Sequence, residues 1–157
     1  MNKVLIFRTD RIGDLLITCP AIISVKNKLK NPKITIVTSS KNYDYAKNLN
    51  IFDNVIKLKS NNIFQKINLF FQLMRKKFDF VFIFDGKQRS IITSIFINSK
   101  NKVALSKKNK KNILFKLFNI KLFEDTEDTN LNAIFQDMIN HSGIETRIAN
   151  YNFLKKN

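Results

Sequence analysis

Residues 4–22 read VLIFRTDRIGDLLITCPAI, and the order of residue types within them decides the fold. Lys3–Arg8 is short, branched and almost continuously apolar, the pattern of a strand buried on both faces of a parallel sheet. From Leu15 the period changes. Leu15, Leu16, Cys19, Ile22, Ile23 and Leu29 fall on or near one helical face, over Leu15–Leu29. Pro20 interrupts that pattern and predicts either a kink or a helix that properly begins there. Between strand and helix lies Thr9–Asp14, with two acids, Arg11 and one of the chain's three glycines. A chain of 157 residues with only 12 acids has placed two of them in one turn, and that turn is where chemistry is to be sought.

The alternation continues outward. Lys33–Thr38 (KITIVT) reads as a second strand, Tyr43–Leu49 as a short helix and Asn54–Leu58 as a third strand. Ile63, Ile67, Phe70, Phe71 and Met74 keep helical spacing, so Asn62–Lys77 is an amphipathic helix. Phe78–Phe84 (FDFVFIF) is a fourth strand, Ser90–Ile97 a helix and Lys102–Leu105 a short fifth strand. Asn130–Ser142 is the last helix, with Gly143 as its C-terminal cap. Such alternation predicts an α/β fold of about five mainly parallel strands with helices on both faces. No repeat or Gly/Ser/Pro linker divides the chain. One domain is therefore expected over residues 1–147, followed by a tail at 148–157.

Composition bounds the partners. Lys and Arg number 28 against 12 acids, a formal charge of +16, which attracts anions over a Debye length of roughly 10 Å. Nucleic acid, phosphates and an anionic membrane surface all fit that charge. So does a bias toward Lys, Asn, Ile and Phe of the kind an AT-rich coding sequence produces without selection for any ligand. Cys19 is the only cysteine, which rules out an intrachain disulfide, and its apolar setting marks it as a packed side chain. Arg8 stops the first apolar run, so no secretory leader is expected, and no run approaches the ~20 apolar residues of a membrane span. A reducing, cytoplasmic setting follows as the expectation.

In open α/β sheets ligands bind beside the loops at the carboxyl ends of strands. Two such loops carry unusual residues: Thr9–Asp14, and Asp85–Arg89 (DGKQR) after the fourth strand. Neither holds GxGxxG or GxxxxGK[ST], which excludes a dinucleotide fingerprint and a phosphate loop. His141 is the only histidine and reads as a surface or helix-end residue; no metal site and no cofactor are expected. Asp14 has two readings. At the opening of a helix it accepts orphan N–H bonds, worth ~1 kcal/mol. As a general base it would take a proton from a substrate hydroxyl. The residues alone leave both open.

The stretch 4–22 resembles the opening of glycosyltransferase family 9, the lipopolysaccharide heptosyltransferases. There an apolar strand, a basic residue, a Gly-Asp pair and a helix with a Thr-x-Pro-Ala-like step follow one another. DFVFIFDGKQRSIITSIFINSKNKVALS (79–106) is similar to a second family stretch, although Gly86 follows Asp85 directly. NLNAIFQDMINHSGIE (130–145) resembles the helix that closes the family's first domain. The resemblance implies a Rossmann-like domain forming the N-terminal half of a GT-B fold. It also implies metal-independent, inverting transfer of heptose from ADP-heptose to the anionic inner core of lipopolysaccharide. On that reading Asp14 is the base. Arg8 contacts the acidic acceptor, Gly13 allows close backbone approach, and Arg11, Lys87 and Arg89 complete the acceptor side. The family's second domain, which binds the nucleotide sugar, has no counterpart among these residues. The chain is therefore expected to transfer nothing on its own.

Other classes remain. From Gly86 to Phe123 there is no acid, while ten positions are Lys or Arg. That span, including ILFKLFNIKLF (113–123), would suit an anionic acceptor or the inner-membrane surface as a basic amphipathic helix. Alternatively, Phe115, Phe118 and Phe123 pack beneath the sheet with solvated lysines around them. A non-catalytic acceptor- or anion-binding module is the main alternative function. A nucleic-acid-binding protein fits the charge, but no stacking platform accompanies it and no nucleic-acid partner is expected.

Overall fold

The computed structural model describes residues 1–58, 63–107, 120–125 and 130–147. Six strands form one parallel sheet: β1 (Lys3–Arg8), β2 (Lys33–Ser39), β3 (Asn54–Leu58), β4 (Lys77–Ile83), β5 (Asn98–Lys107) and β6 (Ile120–Asp125). Their order across the sheet is β3-β2-β1-β4-β5-β6. β1 is central, pairing Val4 with Ile34 of β2 on one side and with Phe80 of β4 on the other. Its five residues from Val4 to Arg8 are all buried, which is why the run carries no polar alternation.

The pleat sorts side chains between two cores. Val4, Ile6, Ile34, Ile36, Phe82, Phe84, Val103 and Leu105 point to one face, against helices α1 (Ile12–Lys28) and α5 (Leu131–His141). Ala46 of the short α2 (Tyr43–Asn48) joins the same core. Leu5, Phe7, Val37, Val81, Ile83 and Ala104 point to the other, against α3 (Ile63–Met74) and α4 (Gln88–Ile95). Phe80, Phe82 and Phe84 stack along β4 at 6.4 and 5.6 Å, and Phe135 of α5 meets Phe84 edge-on at 4.9 Å. The predicted two-faced parallel sheet is present, with six strands where about five were expected.

Three elements differ from the expectation. β5 runs over Asn98–Lys107 rather than the short Lys102–Leu105, because its first residues pair with Lys77 and Phe78 of β4. α1 begins at Ile12 rather than within Leu15–Leu29, and buries Pro20 inside it. Pro20 offers no N–H to the Leu16 carbonyl. One turn earlier, Thr18 Oγ1 and Cys19 Sγ donate back to the carbonyls of Asp14 and Leu15, at 2.7 and 3.3 Å. β6 lies where a basic amphipathic helix was considered: Ile120–Asp125 pairs residue for residue with Lys102–Lys107. Ile120 and Leu122 face the α3–α4 core and Phe123 the opposite one, a period of two rather than 3.6. Residues 113–119, with Phe115 and Phe118, and the tail 148–157 fall outside the described residues.

α5 ends as predicted. Gly143 has φ +88°, its N–H donates to Asn140 O at 3.0 Å, and Ile144 N–H donates to Ile139 O at 3.4 Å. These are the paired bonds of a Schellman cap, closed by the buried Ile144. His141 is the exposed last residue of the helix, edge-on to Phe123 at 5.4 Å.

Candidate functional site

The chain runs outward from β1 to β3, then returns to the far side of β1 as β4. Such a reversal opens a crevice at the carboxyl ends of β1 and β4. Both loops singled out from the sequence flank that crevice, joined by a cavity of about 650 Å³ lined by Arg11, Asp14, Lys41, Lys87 and Arg89 among others.

Arg8, the last residue of β1, is only 3% exposed. Its Nε donates to Asp14 O at 3.0 Å and its Nη1 to Phe84 O. Nη1 also lies 3.3 Å from Asp10 Oδ2, and Nη2 3.9 Å from Asp14 Oδ1. The guanidinium sits 5.8 Å from the Phe135 ring centre. A buried cation needs this many partners. Arg8 therefore holds the turn and its carboxylates in place, and it also lines the cavity.

Asp14 is the third residue of α1. Its Oδ2 accepts the Arg11 N–H at 3.2 Å, the carboxylate half of a capping box. Its side chain is 37% exposed toward the cavity mouth. Gly13 precedes it on the exposed face, where an added Cβ would meet nothing within 4 Å. Nothing in this chain requires glycine there. The close approach expected of Gly13 is not an approach by the chain's own backbone.

Asp85 is a strut. Buried at the end of β4, its Oδ2 accepts the hydroxyls of Thr9 at 2.6 Å and Ser90 at 2.7 Å, and its Oδ1 accepts the Lys87 N–H at 3.1 Å. Gly86 makes the turn at φ +57°, a left-handed conformation that side chains disfavour. Lys87 Nζ reaches across to Thr9 O at 2.7 Å and Thr9 Oγ1 at 3.2 Å, and Arg89 Nη2 lies 3.4 Å from the same hydroxyl. Burial, only partly offset by Asp85 and Asp10, lowers the Lys87 pKa below its ordinary value. Arg11, Lys41 and Arg89 stay exposed around the mouth.

Two further residues were not singled out from the sequence. Asn42 is fully buried; its Nδ2 donates to Arg8 O at 2.8 Å and its Oδ1 accepts the Ser39 N–H at 2.9 Å. It ties the loop after β2 to the end of β1. Asp10 is the other. One carboxylate oxygen faces Arg8, while the other, Oδ1, is buried and meets no donor among the described residues. Burial raises the Asp10 pKa above its ordinary value; Arg8 opposes the rise and Asp14 adds to it. The carboxyl-end rule that selected Thr9–Asp14 contained both clues, since Asp10 lies within that loop and Asn42 in the next one. Among the described residues no group of three or more His, Cys, Asp or Glu could hold a metal ion.

Taken together, sheet order and site define a Rossmann-like α/β domain with its polar crevice at the topological switch point. No family signature and no curated protein matches the sequence. Solved structures do match. The E. coli heptosyltransferase WaaC with ADP-2-deoxy-2-fluoro heptose superposes with TM-score 0.76 at 15% identity, over 97% of this chain and 52% of that one. A glycosyltransferase family 9 protein from Veillonella parvula gives TM-score 0.74 at 16% identity, over 95% and 43%. E. coli ADP-heptose lps heptosyltransferase II gives 0.62 at 12%, over 100% and 44%. The chain thus has the fold of one half of a GT-B heptosyltransferase, and spans about half the length of these structures.

Proposed function

We propose that the chain is the acceptor side of a heptosyltransferase-type glycosyltransferase, one that moves heptose from ADP-heptose to the anionic inner core of lipopolysaccharide. One observation carries the reading. A half-exposed carboxylate, Asp14, is anchored from behind by a buried guanidinium and opens onto a cation-rimmed crevice. The likeness in fold supports it, because two of the similar structures hold ADP or an ADP-heptose analogue.

In this reading Arg11, Lys41, Lys87 and Arg89 draw in the acceptor's anionic groups. Asp14 removes the proton from the acceptor hydroxyl as it attacks the sugar carbon, which inverts that carbon and expels ADP. Arg8 keeps the base in position. Asp10 Oδ1, lacking a partner among the described residues, accepts a hydrogen bond from a second acceptor hydroxyl. Gly13, with open space above it, leaves room for the acceptor to lie against the first turn of α1. A cytoplasmic site of action belongs to the same proposal.

The test is transfer from ADP-heptose, assayed with a donor-binding half supplied in the same polypeptide. Asp14→Asn should lower kcat by ~10²-fold or more, the usual size of a general-base contribution, with acceptor KM little changed. Undiminished kcat would reduce Asp14 to a capping residue. The cation rim alone would also suit a non-catalytic anion-binding module. In that case acceptor binding would persist while no pairing with a donor half produced transfer.

A further inference from the structure

The outer side of the α3–α4 layer is apolar where it should be polar. Phe64 is 82% exposed, and Ile67, Phe71, Ile92 and Phe96 are each about half exposed. These are five of the seven exposed large apolar side chains identified among the described residues. Phe64, Ile67 and Phe71 recur at i, i+3 and i+7 on α3, and Ile92 of α4 and its C-cap residue Phe96 at i and i+4, so each set forms a stripe. Phe70 bridges the stripes, edge-on to Phe71 at 5.8 Å and to Phe96 at 5.3 Å. The inner side of α3 already buries Leu73 against the sheet, so this second apolar face has no partner within the described chain. Contiguous exposed apolar surface of this kind marks a docking site.

Charge identifies what docks. No acid occurs between Asp53 and Asp79, and none between Gly86 and Phe123, so neither helix carries a single one. The two acids between these spans are spoken for. Asp79 accepts the Lys3 N–H at 2.7 Å, and Asp85 is buried in the crevice. Arg75, Lys76 and Lys77 are exposed just past the end of α3, where the Arg75 N–H donates to Phe71 O at 3.2 Å. Aromatic side chains flanked by cations on an acid-free face match the acyl–headgroup boundary of an anionic bilayer. A protein partner would need a matching acidic rim around an aromatic socket; an anionic bilayer supplies both properties with no specific fit.

We propose that the outer face of α3 and α4, centred on Phe71 and Phe96 and rimmed by Arg75, Lys76 and Lys77, docks on an anionic lipid bilayer. It overlaps the basic span 86–123 offered from the sequence only at α4 and Phe96. Lys87 belongs to the crevice, Arg89 lines both the crevice and the groove between α3 and α4, and Lys102 is buried with Nζ on Ile95 O at 3.1 Å. Lys108, Lys110 and Lys111 lie outside the described residues. The docking face stands independently of the reaction proposed for the crevice.

The test is co-sedimentation of the 157-residue protein with phosphatidylcholine vesicles, with and without phosphatidylglycerol. Binding is expected only with phosphatidylglycerol, and should fall at least tenfold on raising salt from 0.05 to ~0.5 M. Phe71→Ser/Phe96→Ser and Arg75→Gln/Lys77→Gln should each weaken it at least tenfold, with circular dichroism melts confirming both variants folded. Lys28→Gln/Lys30→Gln, at the exposed end of α1 on the opposite side of the sheet, should leave it unchanged. No binding to phosphatidylglycerol vesicles would overturn the proposal. So would binding that survives both face variants, loss of binding in the Lys28→Gln/Lys30→Gln variant, or a stable dimer that Phe71→Ser/Phe96→Ser splits.

Discussion

Thr9 Oγ1 and Asp85 Oδ2 lie 2.6 Å apart, closing the two loops over the point where the sheet reverses direction. Through this one contact the ends of β1 and β4 share a frame, because Asp85 also gathers Ser90 and the Lys87 N–H. Removing the carboxylate would leave several buried donors unsatisfied. Asp85→Ala should therefore cost about 3 kcal/mol or more of a stability that is typically ~5–15 kcal/mol. Urea denaturation reads the loss directly, and a change below about 1 kcal/mol would show the strut to be dispensable.

Asp10 sets a pH dependence whose sign follows from its raised pKa. The folded protein holds this proton more tightly than the unfolded chain does. Stability from this group is thus fully present below the unfolded carboxyl pKa and is lost as pH rises through the folded value. Asp10→Asn removes that slope. The melting temperature of the wild type relative to Asp10→Asn should fall as pH climbs from the acid side through the raised pKa. Parallel curves for the two proteins across that window would contradict the placement of Asp10.

Gly13 offers a prediction with two opposite readouts. An alanine there meets open space and helical backbone, so Gly13→Ala should stabilise the fold by about 0.4–1 kcal/mol. If the acceptor lies against the first turn, the same methyl group should weaken acceptor binding. Thermal melts and acceptor titrations on the same sample separate the two effects. A gain in stability with unchanged affinity would remove Gly13 from the acceptor surface.

Cys19 is fully buried, and burial pushes its thiol up to about 12. It should be inert to a disulfide reagent at pH 8 in the folded state and react at the rate of unfolding. Rapid labelling of the native protein would mean that α1 opens locally around Pro20.

Several of these features were legible in the residues because they depend only on local pattern. β1 announces itself as an apolar run, Gly143 as a helix stop, and the loops after β1 and β4 as the ones that meet at a sheet edge. β6 was not legible, because Ile120–Asp125 becomes a strand only by pairing with Lys102–Lys107, a partner that lies beyond a dozen intervening residues. The setting of Arg8 was hidden for a related reason: only the fold shows Asp10, Asp14, Phe84 and Phe135 converging on it. Asn42 was missed because its buried partners come from β1 and β2 rather than from its own helix.

The central claim is that the crevice at the ends of β1 and β4 holds an anionic sugar acceptor over Asp14. Amide chemical shifts of the 15N-labelled protein, followed while an inner-core lipopolysaccharide acceptor is titrated in, test it most directly. The account predicts that Arg11, Gly13, Asp14, Lys41 and Arg89 move together, with an affinity that weakens as salt is raised and in Lys87→Gln/Arg89→Gln. Shifts confined to other surfaces, or none at all, would contradict it.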